Sequence, residues 1–392
     1  MAGAGPNLAA VLGTGQTKYV AKRQDVSMNG LVREAIDRAL ADSGSTFDDI
    51  DAVVVGKAPD FFEGVMMPEL FMADAVGATG KPLIRVHTAG SVGGSTALVA
   101  AHLVSSGIHD RVLTVAFEKQ SDSDAMWALS VPQPFSPPLL AGAGGYFAPI
   151  IRAYMRRSGA PDHIGILVAV KDRLHALKNP YAHLHIEDIS FDMVKDSVML
   201  WDPIRYLETC PSSDGAAAMV LASERQADSV SLSAPPAWIH GMAMRSEPTM
   251  FAGRDQVAPR ASADCVADVY RQAGIVEPRR EIQVAEVYVP FSWYEPMWLE
   301  SLGFAAPGEG WKLTDAGATS LDGGDIPWNA SGGVLSSNPI GASGMLRFLE
   351  AAMQTRGQAG EHQVEGVRRA LGHAYGGGSQ FFAMWVLGTD KP

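Results

Sequence analysis

The sequence has few of the residues that build several common kinds of site. Its 392 residues include two cysteines, Cys210 and Cys265, which cannot form a disulfide framework or by themselves a zinc site. Lys and Arg form no clustered run and the net charge is -12, which argues against nucleic-acid binding. No window approaches the roughly 18 to 20 apolar residues of a membrane span, and the N-terminus lacks a secretory signal pattern. We therefore expect a cytoplasmic protein with reduced, buried thiols, no nucleic-acid partner and no membrane span.

The composition favours a compact α/β enzyme. Apolar residues make up 47% of the chain, and 41 glycines are spread along it rather than clustered. The length is about twice that of a usual single domain, so two domains or two fused halves are expected.

Strand and helix patterns alternate in the first half. A strand pattern at 8–15 is followed by an amphipathic helix pattern at 27–44 and a second strand at 49–60. Residues 120–200 differ: they begin rich in Pro and Gly and continue with charged helical stretches, which is typical of a lid or loop region.

The second half repeats this order after a Pro-containing seam near residue 235. The repeat is one of element order, not of sequence identity, and it predicts a duplicated α/β unit whose two sheets pack around central helices. We expect the halves to span 1–230, including the lid at about 120–200, and 231–392.

Three motifs carry little functional signal. The stretch GTGQTK at 13–18 lacks the spacer and the ending of a phosphate-binding loop. His183, His185 and Asp188 lack a catalytic zinc pattern and are expected in a solvated loop. Glu118, at the end of the strand AFEK, is expected to be a paired charge at a sheet edge, although it is also a possible acid or base.

Three small-residue turns are more informative. They are VHTAGSVGGSTAL (86–98), WNASGGVLSSNPIGASGMLRF (328–348) and GHAYGGGSQFFAMW (372–385). In addition, AEVYVPF (285–291) has a tyrosine at the end of an apolar strand pattern.

These stretches, together with CPSSDGAAAMVLASE (210–224), resemble thiolase-fold proteins of the sterol-carrier-protein and lipid-transfer type. They occur in the family's order and span nearly the whole chain. The resemblance implies an α/β fold: a five-layered αβαβα sandwich made of two duplicated halves, with a loop domain inserted in the first. It also implies a homodimer.

The resemblance fails at the catalytic positions. Ser91 stands where thiolases carry the nucleophilic cysteine, and a serine alkoxide is far harder to form than a thiolate. The family's Gly-His-Pro reads Ser337-Asn338-Pro339, and Asn338 can donate a hydrogen bond but cannot take a proton. The second cysteine loop reads His373-Ala374-Tyr375-Gly376. Nucleophile and base are both lost, while the means of holding a coenzyme A thioester is retained.

A subgroup of the family fits these losses. The chain resembles the lipid-transfer-protein aldolases of actinobacterial steroid degradation, which lack the thiolase cysteine and cleave a β-hydroxyacyl-CoA by a retro-aldol reaction. The resemblance implies catalysis by tyrosines and a small partner protein with a zinc ribbon and an OB-fold. It further implies a coenzyme A thioester as substrate. We expect no covalently bound cofactor and no metal, because the turns contain no metal-binding cluster and no lysine placed for a Schiff base.

The candidate acid/base groups are Tyr288 and Tyr375. His373 is the nearest sequence candidate to lower a phenol pKa, and Tyr294 is a further tyrosine nearby. Val289 departs from the subgroup, which usually has Asp there. Asn338 and the backbone of the two turns are the expected enolate donors. The expected backbone positions are Gly90, Ser91, Val92, Gly93, Gly94, Gly376 and Gly377.

Two other functions stay open. One is a residual thiolase or acyltransferase in which Ser91 is acylated, and the other is a non-catalytic protein that binds acyl-CoA or serves as a scaffold subunit. Each candidate tyrosine can also be a core residue whose hydroxyl bonds to the backbone.

Overall fold

A computed structural model describes residues 7–58, 60, 63–123, 142–249 and 253–392. These residues contain strands that we number in chain order. They are β1 (Ala9–Gln16), β2 (Ala52–Gly56), β3 (Leu83–Val86), β4 (Arg111–Lys119), β5 (Met199–Trp201), β6 (Ile204–Arg205), β7 (Asp214–Ser223), β8 (Ala237–Ser246), β9 (Val284–Glu286), β10 (Arg369–Gly376) and β11 (Phe381–Gly388).

The helices of the described residues are likewise numbered in chain order. They are α1 (Met28–Ser43), α2 (Glu69–Met72), α3 (Val92–Ser105), α4 (Gly142–Ser158), α5 (His163–Ala176), α6 (Phe191–Lys195), α7 (Glu224–Ala227), α8 (Arg260–Ala273), α9 (Pro278–Glu281), α10 (Tyr294–Ser301), α11 (Gly310–Asp315), α12 (Gly333–Ser336) and α13 (Ile340–Arg356).

The main strands form a sheet of order β3-β2-β4-β7-β1-β8-β11-β10-β9. Its two sides are related: β2-β4-β7-β1 in the first half corresponds to β9-β10-β11-β8 in the second. β1 and β8 join the halves through two residue pairs, Ala10 with Trp238 and Val11 with Ala237. The predicted duplication is present, but the two expected sheets are continuous at this short joint.

The helices lie in three layers on the two halves of this sheet. α1 packs on β1, β4 and β7, while α8 packs on β8 and β11 from the opposite side of the molecule. Between them α3 and α13 contact each other and strands of both halves. Small residues allow this, since α3 buries Ala97, Ala100 and Ala101 completely. The result is the five-layered αβαβα arrangement, and the predicted fold class is confirmed.

The glycines of GTGQTK are packing residues. Gly13 and Gly15 belong to β1, and a Cβ on either would lie 2.4 or 2.2 Å from a carbonyl oxygen of α1. Glycine therefore lets α1 approach β1 closely, which explains this motif without a phosphate.

The region between β4 and β7 is mostly helical where it is described. It contains α4, α5, α6 and the hairpin β5-β6, and its Pro- and Gly-rich part before residue 142 lies outside the described residues. Within the described ranges, every helix is too short or too polar to span a bilayer.

Buried charges link α13 to the first half. Glu350 accepts a hydrogen bond from Gln16 of β1 at 2.9 Å and pairs with His362 at 2.9 Å. Burial alone would lower the pKa of His362, but the Glu350 carboxylate outweighs it and holds that pKa above its ordinary value. Burial alone would raise the pKa of Glu350, but His362 holds it below its ordinary value. The charged pair is therefore the stable form inside the protein.

We expect His362→Ala to lower the free energy of unfolding by about 3 kcal/mol at pH 6, because it leaves Glu350 buried without its cation. Because the pKa of His362 is raised by folding, its contribution to stability is complete at a pH below its unfolded-state pKa of about 6.5. That contribution is lost as the pH rises through the pKa of the folded state. Because the pKa of Glu350 is lowered by folding, its contribution to stability is lost as the pH falls through the pKa of the folded state. The loss should thus be greatest at about pH 5 to 6.5, as measured by urea unfolding across a pH series.

His362→Gln is the matched control, since it keeps a hydrogen-bond donor without a titratable charge. Its cost should be smaller than that of His362→Ala, because a hydrogen bond to Glu350 is kept, whereas both variants lose the titratable charge of His362. Equal costs of His362→Ala at pH 6 and pH 9 would contradict the charged pair.

Candidate active site

The first predicted turn holds Ser91 in a tight, closed geometry. Ala89 has a φ of 50°, a conformation that is costly for a residue with a side chain. Ser91 precedes α3 and is fully buried, and its hydroxyl donates to the Thr88 carbonyl at 2.8 Å. The Ser91 and Val92 amides donate to the carbonyls of Thr88 and Ala89 at 3.2 Å. The turn thus uses its serine hydroxyl and two of its predicted oxyanion donors internally.

Gly93 and Gly94 allow helices to pack closely. A Cβ on Gly93 would lie 2.4 Å from the Met345 nitrogen of α13, and one on Gly94 would lie 2.5 Å from the Ala374 Cβ of β10. Close packing of α3 therefore accounts for glycine at both positions. An oxyanion role for their amides stays a prediction.

The third predicted turn meets the first. His373, Tyr375 and Gly376 belong to β10, so the expected Gly-rich loop is in fact a strand up to Gly376, and its loop begins at Gly377. The local pattern of β10 does not predict a strand, because its small and polar residues do not resemble an apolar run. A Cβ on Gly376 would lie 2.3 Å from the Ser91 nitrogen and 2.5 Å from the Gly90 nitrogen.

The two candidate tyrosines pack against each other beside this contact. Tyr288, just after β9, meets Tyr375 edge to face with ring centroids 5.3 Å apart. Each keeps a small exposed fraction, 4% for Tyr288 and 3% for Tyr375, whereas Ser91 has none. A Cβ on Gly90 would lie 3.8 Å from the Tyr288 hydroxyl. All three side chains are therefore buried, and the Tyr288 hydroxyl lies beside the first turn.

Asn338 completes the cluster from the loop before α13. Its Oδ1 accepts from Ser343 at 2.7 Å and lies 3.5 Å from the Tyr288 hydroxyl. Since Oδ1 takes the Ser343 hydroxyl, Nδ2 is directed at the Cys210 sulfur, 3.1 Å away. The amide is thus held in one orientation, with its donor side toward Cys210.

His373 does not act on a phenol. Its Nδ1 accepts from the Tyr288 backbone amide at 3.3 Å, and burial lowers its pKa to about 3, so the ring is neutral. Burial raises the pKa of Tyr288 and of Tyr375. The lowered pKa that a tyrosinate base would need is therefore not found, and both phenols are protonated at neutral pH.

Aromatic side chains enclose the tyrosine pair. Tyr294, the further candidate, is fully buried and stacks on Tyr375 with centroids 5.6 Å apart. The ring of Phe147, on α4, lies 6.4 Å from the Tyr375 ring, centroid to centroid. The Phe147 ring also lies 5.4 Å from the ring of Phe291. These rings form an apolar wall around the tyrosine pair.

Two neighbours of Asn338 were not predicted as site residues. Cys210 is half-buried rather than fully buried, and burial raises its pKa to about 11, so it is a thiol at neutral pH. His183, expected in a solvated loop, bonds to the buried Ser213 at 2.8 Å. The sequence contained one usable signal for the first, since Cys210 and Ser213 share the motif CPSSDG.

The remaining polar motifs have structural partners. Glu118 is fully buried on the interior strand β4, where it pairs with Lys57 at 3.3 Å and accepts from the Gly341 amide at 2.8 Å. It is therefore paired in the interior and not at a sheet edge, and burial and the neighbouring Glu63 raise its pKa. His185 bonds to the Asn179 carbonyl at 2.9 Å. Across the described ranges, no group of three or more His, Cys, Asp or Glu side chains is arranged to hold a metal ion.

The fold and the site together define a thiolase-fold protein. The structure superposes on one titled Ltp2-ChsH2(DUF35) aldolase with a TM-score of 0.84, at 27% identity and covering 98% of each chain. Residues 243–389 match the family model described as "Thiolase C-terminal domain-like".

The sequence relatives extend this likeness to the whole chain. Acetyl-CoA acetyltransferase of Methanothermobacter thermautotrophicus is 31% identical, over 94% of this chain and 96% of that protein. Sterol carrier protein 2 of Homo sapiens is 29% identical, over 97% of this chain and 72% of that protein. The chain belongs to the thiolase superfamily and is of the sterol-carrier-protein 2 type, which confirms the predicted resemblance.

Gly376→Ala tests the contact between the two turns. The added methyl group would collide with backbone that cannot rotate away, so we expect a loss of about 1–3 kcal/mol in the free energy of unfolding. Gly253→Ala is the matched control, because its methyl group would meet nothing within 4 Å. Denaturant unfolding of both variants measures the difference, and equal stabilities would show that the contact is looser than described.

Proposed function

We propose that the protein is a carbon–carbon lyase that cleaves a β-hydroxyacyl-CoA by a retro-aldol reaction. The observation that carries this proposal is the placement of Tyr288, Tyr375 and Asn338 together at the start of the buried helices. Ser91, the residue at the thiolase nucleophile position, is closed off beside them. A site with hydroxyl and amide groups but a buried serine suits proton transfer better than acyl transfer.

Retro-aldol cleavage needs one proton to move and one charge to be stabilised. The β-hydroxyl loses its proton, the Cα–Cβ bond breaks, and Cβ leaves as a ketone or aldehyde. The electron pair of that bond forms a thioester enolate, whose Cα then takes a proton to give the shorter acyl-CoA. The net result is transfer of the hydroxyl proton to Cα, so no external acid or base is consumed.

Neutral phenols fit this proton balance. A phenol can accept the hydroxyl proton while it gives up its own, so neither tyrosine has to ionise permanently, in keeping with their raised pKa values. Tyr288 and Tyr375 are in contact, which lets the pair reach both the β-hydroxyl and Cα. His373, hydrogen-bonded to the Tyr288 backbone, orients that residue.

Asn338 is the proposed donor to the enolate oxygen. Its Nδ2 faces the half-buried Cys210, and a fixed amide donor in a dry site stabilises developing negative charge without reorganisation. The amides of the first turn and of Gly376 and Gly377 are further proposed donors, apart from those of Ser91 and Val92, which already bond within the turn.

The proposed substrate is a bulky acyl-CoA, with a steroid as the leading class. The aromatic wall formed by Phe147 and Phe291 supports an apolar acyl group, and the similarity to the Ltp2-ChsH2(DUF35) aldolase supports the reaction type. That aldolase's title also supports a DUF35 partner, which we propose for this chain as a small zinc-ribbon and OB-fold protein. A homodimer, a cytoplasmic location and the division at residue 230 likewise remain proposals.

Replacing either tyrosine tests the assignment. We expect Tyr288→Phe and Tyr375→Phe to lower kcat for cleavage by about 10²–10⁴-fold, because each removes a proton-carrying hydroxyl from the pair. The assay offers a 17-hydroxy steroid side-chain CoA thioester, with and without the candidate partner. It detects acetyl-CoA or propionyl-CoA and the steroid ketone.

Tyr270→Phe is the matched control. The Tyr270 hydroxyl is also buried, but it donates to the Leu302 carbonyl at 2.9 Å rather than to the site. It should alter stability without altering cleavage. Full activity in both site variants would refute the roles given to Tyr288 and Tyr375.

Acyl transfer is the second candidate, favoured by the 31% identity to an acetyl-CoA acetyltransferase. On the proposed reaction, Ser91→Ala should keep cleavage within about threefold of the unaltered enzyme, since the serine hydroxyl bonds to Thr88 instead of to substrate. CoA-dependent turnover of a β-ketoacyl-CoA that disappears in Ser91→Ala, without any cleavage, would instead establish the acyltransferase. Binding of acyl-CoA with neither reaction would indicate a scaffold.

A further inference from the structure

A segment of the inserted region is hydrogen-bonded to the loop that carries Asn338. The His183 amide donates to the Ser337 hydroxyl at 2.9 Å, and the Leu184 amide donates to the Ser336 carbonyl at 3.0 Å. The inserted region and the enolate donor are therefore one connected unit at this point.

Ser213 links the His183 ring to the Asn338 backbone. The fully buried Ser213 hydroxyl accepts from the Asn338 amide at 3.1 Å and lies 2.8 Å from His183 Nδ1. The Ser213 amide donates to the Asn338 carbonyl at 3.3 Å, and Gln120 donates to the same carbonyl at 2.6 Å. Both the backbone amide and the backbone carbonyl of Asn338 are thus hydrogen-bonded, and Ser213 is a partner of each.

The direction of these bonds depends on a neutral imidazole. Because Ser213 Oγ already accepts from Asn338, its own hydrogen is free to point at a lone pair on His183 Nδ1. Burial lowers the pKa of His183, nearby Lys18 and Arg173 lower it further, and Asp214 opposes them. The ring is therefore neutral at pH 7, and in the tautomer protonated at Nε2 its Nδ1 accepts the serine hydrogen.

We propose that His183 is a positioning residue that fixes Asn338 through Ser213, an inference that rests on the proposed role of Asn338 as enolate donor. The imidazole fixes the serine hydroxyl, and the hydroxyl fixes the backbone of Asn338. An amide donor displaced by a fraction of an ångström stabilises the enolate less but binds the ground-state thioester about as well. His183 should therefore affect kcat more than KM.

The experiment compares His183→Ala with His183→Asn. The amide of Asn can place an acceptor where Nδ1 lies, so it should restore what Ala removes. In substrate-free protein, hydrogen exchange of a peptide covering residues 335–339 should be about tenfold faster in His183→Ala and near normal in His183→Asn. For cleavage of the steroid CoA thioester, His183→Ala should lose about tenfold in kcat with KM within about twofold.

His185→Ala is the matched control on the same segment, and it should leave exchange and kinetics unchanged. Ser213→Ala supplies a second route if His183→Ala does not fold. Adding His183→Ala to Ser213→Ala should cause no further loss, because the histidine acts through that hydroxyl.

Unchanged exchange of residues 335–339 in His183→Ala overturns the inference, and so do losses that add fully in the double variant. A kcat loss in His183→Asn equal to that in His183→Ala also overturns it, since the ring would then act other than through Ser213. Exchange does not depend on substrate. If exchange changes as expected while the unaltered protein cleaves nothing, the positioning role stands and the proposed reaction fails.

Discussion

The close crossing of α3 and α13 is the constraint on which the candidate site depends. A Cβ on Gly93 would lie 2.9 Å from the Gly341 carbonyl, and one on Gly344 would lie 2.7 Å from the Gly94 amide. Only glycine lets two helix backbones approach to this distance. Because α3 follows Ser91 and α13 follows Asn338, the crossing sets how far apart those residues are. One half of the duplicated fold supplies the closed turn, and the other supplies the amide and the tyrosines.

A buried ion pair supports the start of α13 from the side of the first half. The carboxylate of Glu118 accepts from the Ala58 and Gly341 amides at 3.0 and 2.8 Å, and it shares the buried Lys57 ammonium with Glu63. A carboxylate at a helix N-terminus satisfies an amide that the helix cannot, and it interacts favourably with the helix dipole. The Gly341 amide from which this carboxylate accepts a hydrogen bond lies three residues after Asn338, so the contact contributes to the fixed position of the donor.

The fold was predictable because its signals are local and repeated. The apolar run Val53–Val55 and the helix pattern of 27–44 each match one element, and the motif order identified the family. What could not be predicted depends on distant contacts. His373 and Tyr375 sit on a strand that reads as a turn, and His183 reaches Ser213 from 30 residues away. The tyrosines could be proposed from the sequence, but the direction of their pKa shift depends on burial, which no local pattern reveals.

The raised pKa of the two phenols limits the acid/base role that the tyrosines can take. A tyrosinate base would have to form in an aromatic enclosure that penalises its charge, with the neutral His373 ring bonded to backbone and unable to offset that penalty. A neutral phenol that accepts one proton while it releases another avoids the penalty. The same enclosure then works in favour of the reaction, because an amide donor such as Asn338 acts more strongly on an enolate when water is excluded. Burial would thus prevent a tyrosinate base from forming, but it suits transfer of a proton from the substrate β-hydroxyl through a tyrosine hydroxyl to the substrate Cα.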